Sequence, residues 1–211
     1  MFKNKKMLII TSVLILLPIL AGLILWQHLP DQMVTHWGAN GEPNGWSSKW
    51  FAVFGLPAFL LLVHWVGVFA TRSDPKKYGH NEKLLALVLW LCPAISILCN
   101  GYVYAYTFEV DLGIEILVSV LLGVLFIVIG NYMPKCRQNY TMGIKLPWTL
   151  NDEENWNKTH RLAGKIWVAG GILIVISALL QCFWICFAVF AVMLFVPFVY
   201  SWRLYSKKTK E

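Results

Sequence analysis

The sequence predicts an all-α integral membrane protein with six transmembrane helices and both termini in the cytoplasm. Three observations carry that reading. Of 211 residues, 58% are hydrophobic and only 14% are charged, with a mean hydropathy of +0.59, whereas a soluble domain carries about a quarter charged residues. Six apolar runs meet or approach the roughly 20 residues that a helix needs to cross a hydrocarbon core about 30 Å thick. Seventeen of the eighteen lysines and arginines fall on one side of those runs. This composition, with eleven Trp and twelve Phe, excludes a disordered chain and argues against an ordinary cytosolic enzyme.

The first span runs from about Met7 to Trp26 behind Lys3, Lys5 and Lys6. A signal peptide shares that basic start, but this apolar run is longer than a signal core and no A-x-A cleavage site follows, so it reads as a retained helix. The second span covers Trp50 to Ala70, the third Leu84 to Thr107, and the fourth Leu112 to Met133 with Glu115 near its start. The fifth covers Leu162 to Leu180 and the sixth Phe183 to Trp202; only Gln181 and Cys182 separate them, which predicts a tight helical hairpin. Pro18, Pro57, Pro93 and Pro197 lie within spans, where neighbouring helices can satisfy freed carbonyls.

Three basic residues precede the first span, four lie at Arg72, Lys76, Lys77 and Lys83, six between Lys135 and Lys165, and four at Arg203, Lys207, Lys208 and Lys210. Lys49 stands alone on the other side. The excess of Lys and Arg marks the cytoplasmic face, and the separation of the basic clusters by apolar runs argues against direct nucleic-acid binding. The five cysteines form no C-x-x-C pair and read as small hydrophobes of a helix bundle. Trp26 and Trp50 fit an interfacial aromatic belt; Trp37 and Trp46 lie in the loop itself.

Two loops are longer than mere connectors. The outer one reads LPDQMVTHWGANGEPNGW from Leu29 to Trp46, with Asn40-Gly41 and Asn44-Gly45 as turn signals. Aromatic rings on such a folded loop can form a small binding surface. His36 has only His28 nearby, too few ligands for a metal site. The inner loop runs from Pro134 to about Arg161. There, Thr149 followed by Asp152 matches a capping-box start, which predicts a helix running from Leu150 without a break through the fifth span. Trp156, His160 and Trp167 share one face of that helix, read either as an anchor on the membrane surface or as part of a cytoplasmic docking site.

Polar residues within the spans are few: His64, Asn100 and Asn131, with some Ser and Thr. Asn100 and Asn131 read as hydrogen-bonding between helices. There is no H-E-x-x-H, P-loop or G-x-S-x-G pattern, so neither catalysis, a cofactor nor a metal is expected.

The stretch from Gly130 to Lys165, GNYMPKCRQNYTMGIKLPWTLNDEENWNKTHRLAGK, resembles the SdpI family. The resemblance rests on Gly130-Asn131, Asn139, Gly143-Ile144-Lys145, Pro147-Trp148-Thr149-Leu150, Trp156 and Arg161. The outer-loop pattern from Leu29-Pro30 through His36-Trp37 to Gly41, Pro43 and Trp46 resembles the DUF1648-like membrane module that often precedes it. The division that follows is a DUF1648-like two-helix module over 1–70, a third helix with its flanking loops over 71–111, and an SdpI-like region over 112–211. Family members often carry Arg-Thr before Pro-Trp where this chain has Lys145-Leu146; lysine keeps the charge but loses the bidentate fork of arginine.

The resemblance implies a multi-pass cell-membrane protein that gives immunity to a secreted toxin peptide of the SDP type. It also implies a receptor role in which a cytoplasmic transcriptional repressor of the helix-turn-helix class is held at the membrane. On this expectation the outer contacts with toxin are His36, Trp37 and Trp46, and the inner partner surface comprises Lys145, Pro147, Trp148, Thr149, Trp156 and Arg161. Membrane lipid is the remaining partner. The alternative is a small-solute transporter or exporter using His64, Asn100 and Asn131 as a polar path.

Overall fold

The computed structural model describes every residue except 1–4, 39, 77–81, 111–112, 183 and 210–211, and the side chains of 82–84. The predicted span starts at Leu112 and Phe183, and Lys3, Lys77 and Lys210 of the charge pattern, lie outside the described residues. The helices are α1 (Lys5–Ile24), α2 (Leu56–Ser73), α3 (Glu82–Thr107), α4 (Ile114–Tyr132), α5 (Pro147–Asn151), α6 (Glu153–Leu179) and α7 (Trp184–Lys208). A π-helical turn, Phe51–Gly55, leads into α2 and a 3₁₀ turn, Met133–Lys135, follows α4. Six helices are long and apolar enough to cross a membrane. The rows of exposed Leu, Ile, Val and Phe along them are what a lipid-facing surface requires.

The outer loop departs from an all-helical reading. It is an antiparallel hairpin of β1 (Gln32–Trp37) and β2 (Pro43–Ser48), in register Gln32↔Ser48, Met33↔Ser47 and Val34↔Trp46 with irregularities around His36. The turn falls at Gly38–Glu42, where Gly41 takes φ 75° as the Asn-Gly signal requires. The expected second turn at Asn44-Gly45 does not form. Gly45 lies inside β2 opposite His36, and a Cβ there would sit 2.8 Å from the His36 Cβ, so that glycine serves close strand approach.

By internal contacts the chain divides into two compact units, Met1–Arg72 with Leu85–Ile114, and Ser73–Leu84 with Glu115–Glu211. In the first, Leu29, Met33, Ala52, Val53, Val103 and Tyr104 form a buried cluster beneath the hairpin. Several of its buried polar groups are tied to neighbouring helices or to their own. Thr11 Oγ1 pairs with His64 Nε2 at 3.2 Å, Ser96 Oγ donates to Ile15 O at 2.8 Å, and Tyr104 Oη donates to Pro18 O at 3.0 Å. Asn100 donates to Ser96 O within its own helix. Pro57 lies just after the π-helical turn that leads into α2.

In the second unit, α4 and α6 cross on two glycine pairs. A Cβ on Gly171 would lie 2.5 Å from Gly123 O, and one on Gly164 would lie 2.7 Å from Gly130 O. Such small-residue contacts let backbones approach where no hydrophobic effect drives helices together. Gly170 faces Met193 and Val189 of α7 instead. Asn131 is exposed and makes no interhelical bond among the described residues, contrary to expectation, because the close approach runs along the neighbouring glycine. The α6–α7 hairpin is as tight as predicted: Gln181 takes φ 56°, and Cys182 N donates to Ser177 O at 2.8 Å.

Candidate functional site

Two regions carry the residues singled out by sequence, one in each unit. In the hairpin, strand alternation divides them. Val34, His36 and Trp46 share the outward face, where His36 is exposed and Trp46 is 59% exposed. Trp37 turns inward and is half-buried, edge-on to Tyr102 (5.0 Å between centroids) and Tyr106 (5.4 Å) of α3. Its Nε1 has no hydrogen-bond partner among the described residues. His36 Nδ1 pairs with Asn44 Oδ1, a contact across the strands. No cluster of three metal-ligating side chains occurs among the described residues.

Lys49, beside the hairpin, has a structural post. Its Nζ donates to Leu29 O at 3.0 Å and Trp26 O at 3.4 Å, lies 3.7 Å from Asp31 Oδ1, and sits 4.9 Å from the centre of the Trp26 ring. It closes the C-terminal carbonyls after α1, which a helix end leaves without partners.

The inner loop is a folded element built from side chains. Asn139 shapes its first turn: Oδ1 accepts from Thr141 N (2.9 Å) and Met142 N (2.6 Å), while Nδ2 donates to Arg137 O (2.8 Å). Asp74 enters from the connector before α3 and is 3% exposed. Its Oδ2 accepts from Tyr140 N at 2.9 Å and Thr141 Oγ1 at 2.6 Å, and Oδ1 accepts from Lys76 N. Lys76 Nζ donates to Gln138 Oε1, and Gln138 Nε2 donates to Thr149 O. Burial pushes the Cys136 thiol above its ordinary value, with the Asn139 hydrogen bond opposing, so Cys136 is a protonated thiol rather than a reactive thiolate.

Trp156 and His160 form the floor. Both are fully buried and stack at 4.0 Å with 21° between planes. Trp156 Nε1 donates to Cys136 O (2.8 Å), and His160 Nε2 accepts from Ile144 N (3.0 Å) while its Nδ1–H donates to Trp156 O (2.8 Å). Two hydrogen bonds of opposite sense fix the neutral Nδ1–H tautomer. Gly143 must pass over this pair with φ +109°, where a Cβ would lie 2.4 Å from His160 Nε2. Neither alternative read from the sequence, an anchor on the membrane surface or an exposed docking face, fits Trp156 and His160: they are buried and face the loop, whose backbone groups they satisfy.

The unbroken helix from Thr149 is also corrected. Thr149 is buried inside α5, where Oγ1 accepts from Leu146 N at 2.9 Å and donates to Ile144 O at 2.8 Å. Asp152 breaks the helix with an extended backbone (φ −135°, ψ 107°) and caps α6, accepting from Glu154 N and Asn155 N. Its other oxygen accepts from Lys208 Nζ at 3.0 Å, and that bond holds the Asp152 carboxyl below its ordinary value.

Around this frame lie the exposed candidates. Lys145 is exposed, with Nζ donating to Thr141 O at 3.1 Å; Pro147 and Arg161 are exposed. Trp148 is half-buried against α7, stacked on Tyr205 (5.7 Å, 23°) and donating from Nε1 to Ser201 Oγ at 3.1 Å. Asn155 Nδ2 donates to Ser201 O at 2.9 Å. An open cavity of ≈490 Å³ lies between Pro147, Trp148, Asp152, Tyr205 and Lys208. Sequence reasoning missed Asp74, Asn155 and Ser201, which gain their roles only through tertiary contact.

Residues 135–201 match the SdpI/YfhL protein family, and residues 13–61 match a domain of unknown function, DUF1648. Over 173 residues, 80% of this chain and 79% of the relative, the chain is 27% identical to a protein named Immunity protein SdpI from Bacillus subtilis strain 168. No solved structure matches the chain. The first region takes in most of the inner loop with α6 and most of α7; the second takes in the hairpin and most of α1. The resemblance read from the residues is thus shown, and with six spans the chain is a multi-pass protein of the cell membrane.

Proposed function

We propose that the chain is an immunity protein that protects its cell membrane from a secreted toxin peptide, with the hairpin outside and the inner loop and both termini in the cytoplasm. The kinship with an immunity protein over four-fifths of the chain carries this reading. The partition of seventeen basic residues against Lys49 supports the orientation. Toxin, or a membrane it has altered, is met by the outward face of the hairpin, where His36 and Trp46 are free to touch it. Trp37 positions that face through Tyr102 and Tyr106.

Signalling is the second half of the proposal. The inner loop presents Lys145, Pro147, Arg161 and the outer edge of Trp148 to a cytoplasmic partner, a repressor of the helix-turn-helix class. Thr149 and Trp156 act as its frame and not as contacts, since both are buried. A signal requires two states with different affinity for that partner. The clasp of Trp148, Asn155 and Asp152 on α7 is the element whose opening or closing would alter the exposed set.

Survival of a sensitive Gram-positive host expressing the chain and challenged with SDP-type toxin tests the first half. Wild type is expected to protect, and Trp46→Ala to protect less. Absence of protection with the protein present in the membrane overturns the immunity reading. Deletion of 136–146 that leaves both protection and repressor capture intact overturns the inner half.

A further inference from the structure

One stripe of α6 is open to the surroundings and changes its chemistry part-way along. Lys158, Arg161, Lys165, Ile172, Ile176 and Leu179 follow one another at spacings of three, four and seven, which keeps them on a single side of the helix. All six are exposed, Ile172 at 45%, Ile176 at 46% and Leu179 at 67%. The adjoining face is closed. His160 is buried beneath the inner loop, and Gly164 is buried against Pro134 and the Gly130 carbonyl.

The change falls at Lys165. No charged residue follows it before α6 ends, so Lys165 stands at the edge of the hydrocarbon layer, its stem on apolar surface and its ammonium reaching outward. At about 1.5 Å per residue, Arg161 lies about 6 Å further out, at headgroup depth, while Ile172 and Ile176 lie about 10 and 16 Å further in. That reach is one leaflet's share of a hydrocarbon core about 30 Å thick. Lys158 is neutralised by Glu154 at 2.7 Å. Arg161 and Lys165, one turn apart, have no carboxylate partner among the described residues. In a membrane the molecule that covers an exposed apolar stripe is a lipid, and the two cations above the stripe select its headgroup.

We propose that Arg161 and Lys165 hold the phosphate of an anionic phospholipid whose acyl chain lies along Ile172 and Ile176. The guanidinium offers paired N–H donors to two phosphate oxygens, and the ammonium adds a point charge. A zwitterionic headgroup carries the same phosphate but brings its own cation towards Arg161 and Lys165, so the anionic lipid is preferred. The inference goes beyond immunity and depends neither on a toxin nor on which leaflet meets this end of α6. Arg161 is shared with the surface offered to the cytoplasmic partner, so a bound headgroup occupies one of that partner's contacts.

The test is native mass spectrometry of the full chain released from micelles holding equal amounts of phosphatidylglycerol and phosphatidylcholine. Wild type is expected to retain phosphatidylglycerol about tenfold over phosphatidylcholine. In R161Q/K165Q that preference falls to about even, and R161K, which keeps the charge but loses the fork, gives an intermediate value. Both positions are exposed, so an unchanged melting temperature in phosphatidylcholine micelles verifies that the variants fold. Lys207→Gln, at an exposed lysine near the end of α7, leaves the preference as in wild type. Inorganic phosphate does not displace the retained lipid, because the acyl chain is held as well. Three results overturn the inference. Equal retention of the two lipids by wild type shows that the cations select no headgroup. A preference that survives R161Q/K165Q, or that falls as far in Lys207→Gln, assigns it to the diffuse charge of this end of the molecule. Displacement by inorganic phosphate makes the pair an anion site and not a lipid site.

Discussion

Between Gln32 and Ser48 the chain holds its shape through backbone pairing of two strands, while between Cys136 and Asn155 it does so through buried side chains. Strand pairing frees the outward face of the hairpin, so Trp46 can change without altering the scaffold. In the inner loop Asn139, Thr149, Trp156 and His160 are each almost wholly buried and each make hydrogen bonds that no regular element supplies. A partner surface on the first can evolve by surface substitution. On the second, the same freedom is confined to Lys145, Pro147, Arg161 and the edge of Trp148.

The strongest way to break the comparison is Trp156→Ala. It removes the floor of the inner loop and the donor to Cys136 O, and core Trp→Ala truncations cost about 3–5 kcal/mol. A lower melting temperature in detergent is expected, together with faster amide exchange over 136–149 and unchanged exchange in the hairpin. Equal loss of protection in both regions would show that the loop does not fold as a local unit. Gly143→Ala follows, because it combines a positive φ with a Cβ that would lie 2.4 Å from His160 Nε2. Left-handed backbone and overpacking each cost about 1–3 kcal/mol, and the same exchange pattern, smaller in size, is the expected readout.

These residues also mark what could be read from sequence. Six spans were legible because length and hydropathy decide them, and the α6–α7 hairpin because two residues leave no other geometry. Asn40-Gly41 was correctly a turn, but the strands beside it carry too few alternating apolar residues to announce a sheet. The Thr149 signature misled because Thr149 Oγ1 bonds Ile144 O and Leu146 N locally, while Asp152, three residues on, takes the cap itself. Spacing placed Trp156 and His160 on one face but not what that face meets, since the loop that covers them is folded by its own Asn139 and by Asp74 from elsewhere in the chain.

Asp152 offers a smaller, pH-dependent probe of the inner clasp. Its carboxyl lies below the ordinary value chiefly because Lys208 donates to it. A depressed folded-state pKa stabilises the fold above the unfolded value, near 3.9, and that contribution disappears as pH falls through the folded value. Asp152→Asn should therefore lower the melting temperature modestly at neutral pH, with the cap partly kept by the asparagine oxygen. The difference from wild type should vanish in acid. A difference that persists at low pH would assign the effect to packing and not to the bridge with Lys208.

The smallest stability effects belong to the hairpin, and there the two tryptophans should part. Trp46 is 59% exposed on the outward face, so Trp46→Ala should shift stability by no more than about 0.5 kcal/mol while reducing toxin protection. Trp37 packs on Tyr102 and Tyr106 with an indole N–H that lacks a partner among the described residues. Trp37→Phe keeps the ring contacts and removes that N–H, so stability should hold or rise slightly, since an unsatisfied buried donor carries a desolvation cost of about 1–3 kcal/mol. Protection should survive in Trp37→Phe and fall in Trp46→Ala. The opposite result, with Trp37→Phe losing protection at full stability, would make the indole N–H itself the group that meets the toxin and would turn the functional face of the hairpin inward.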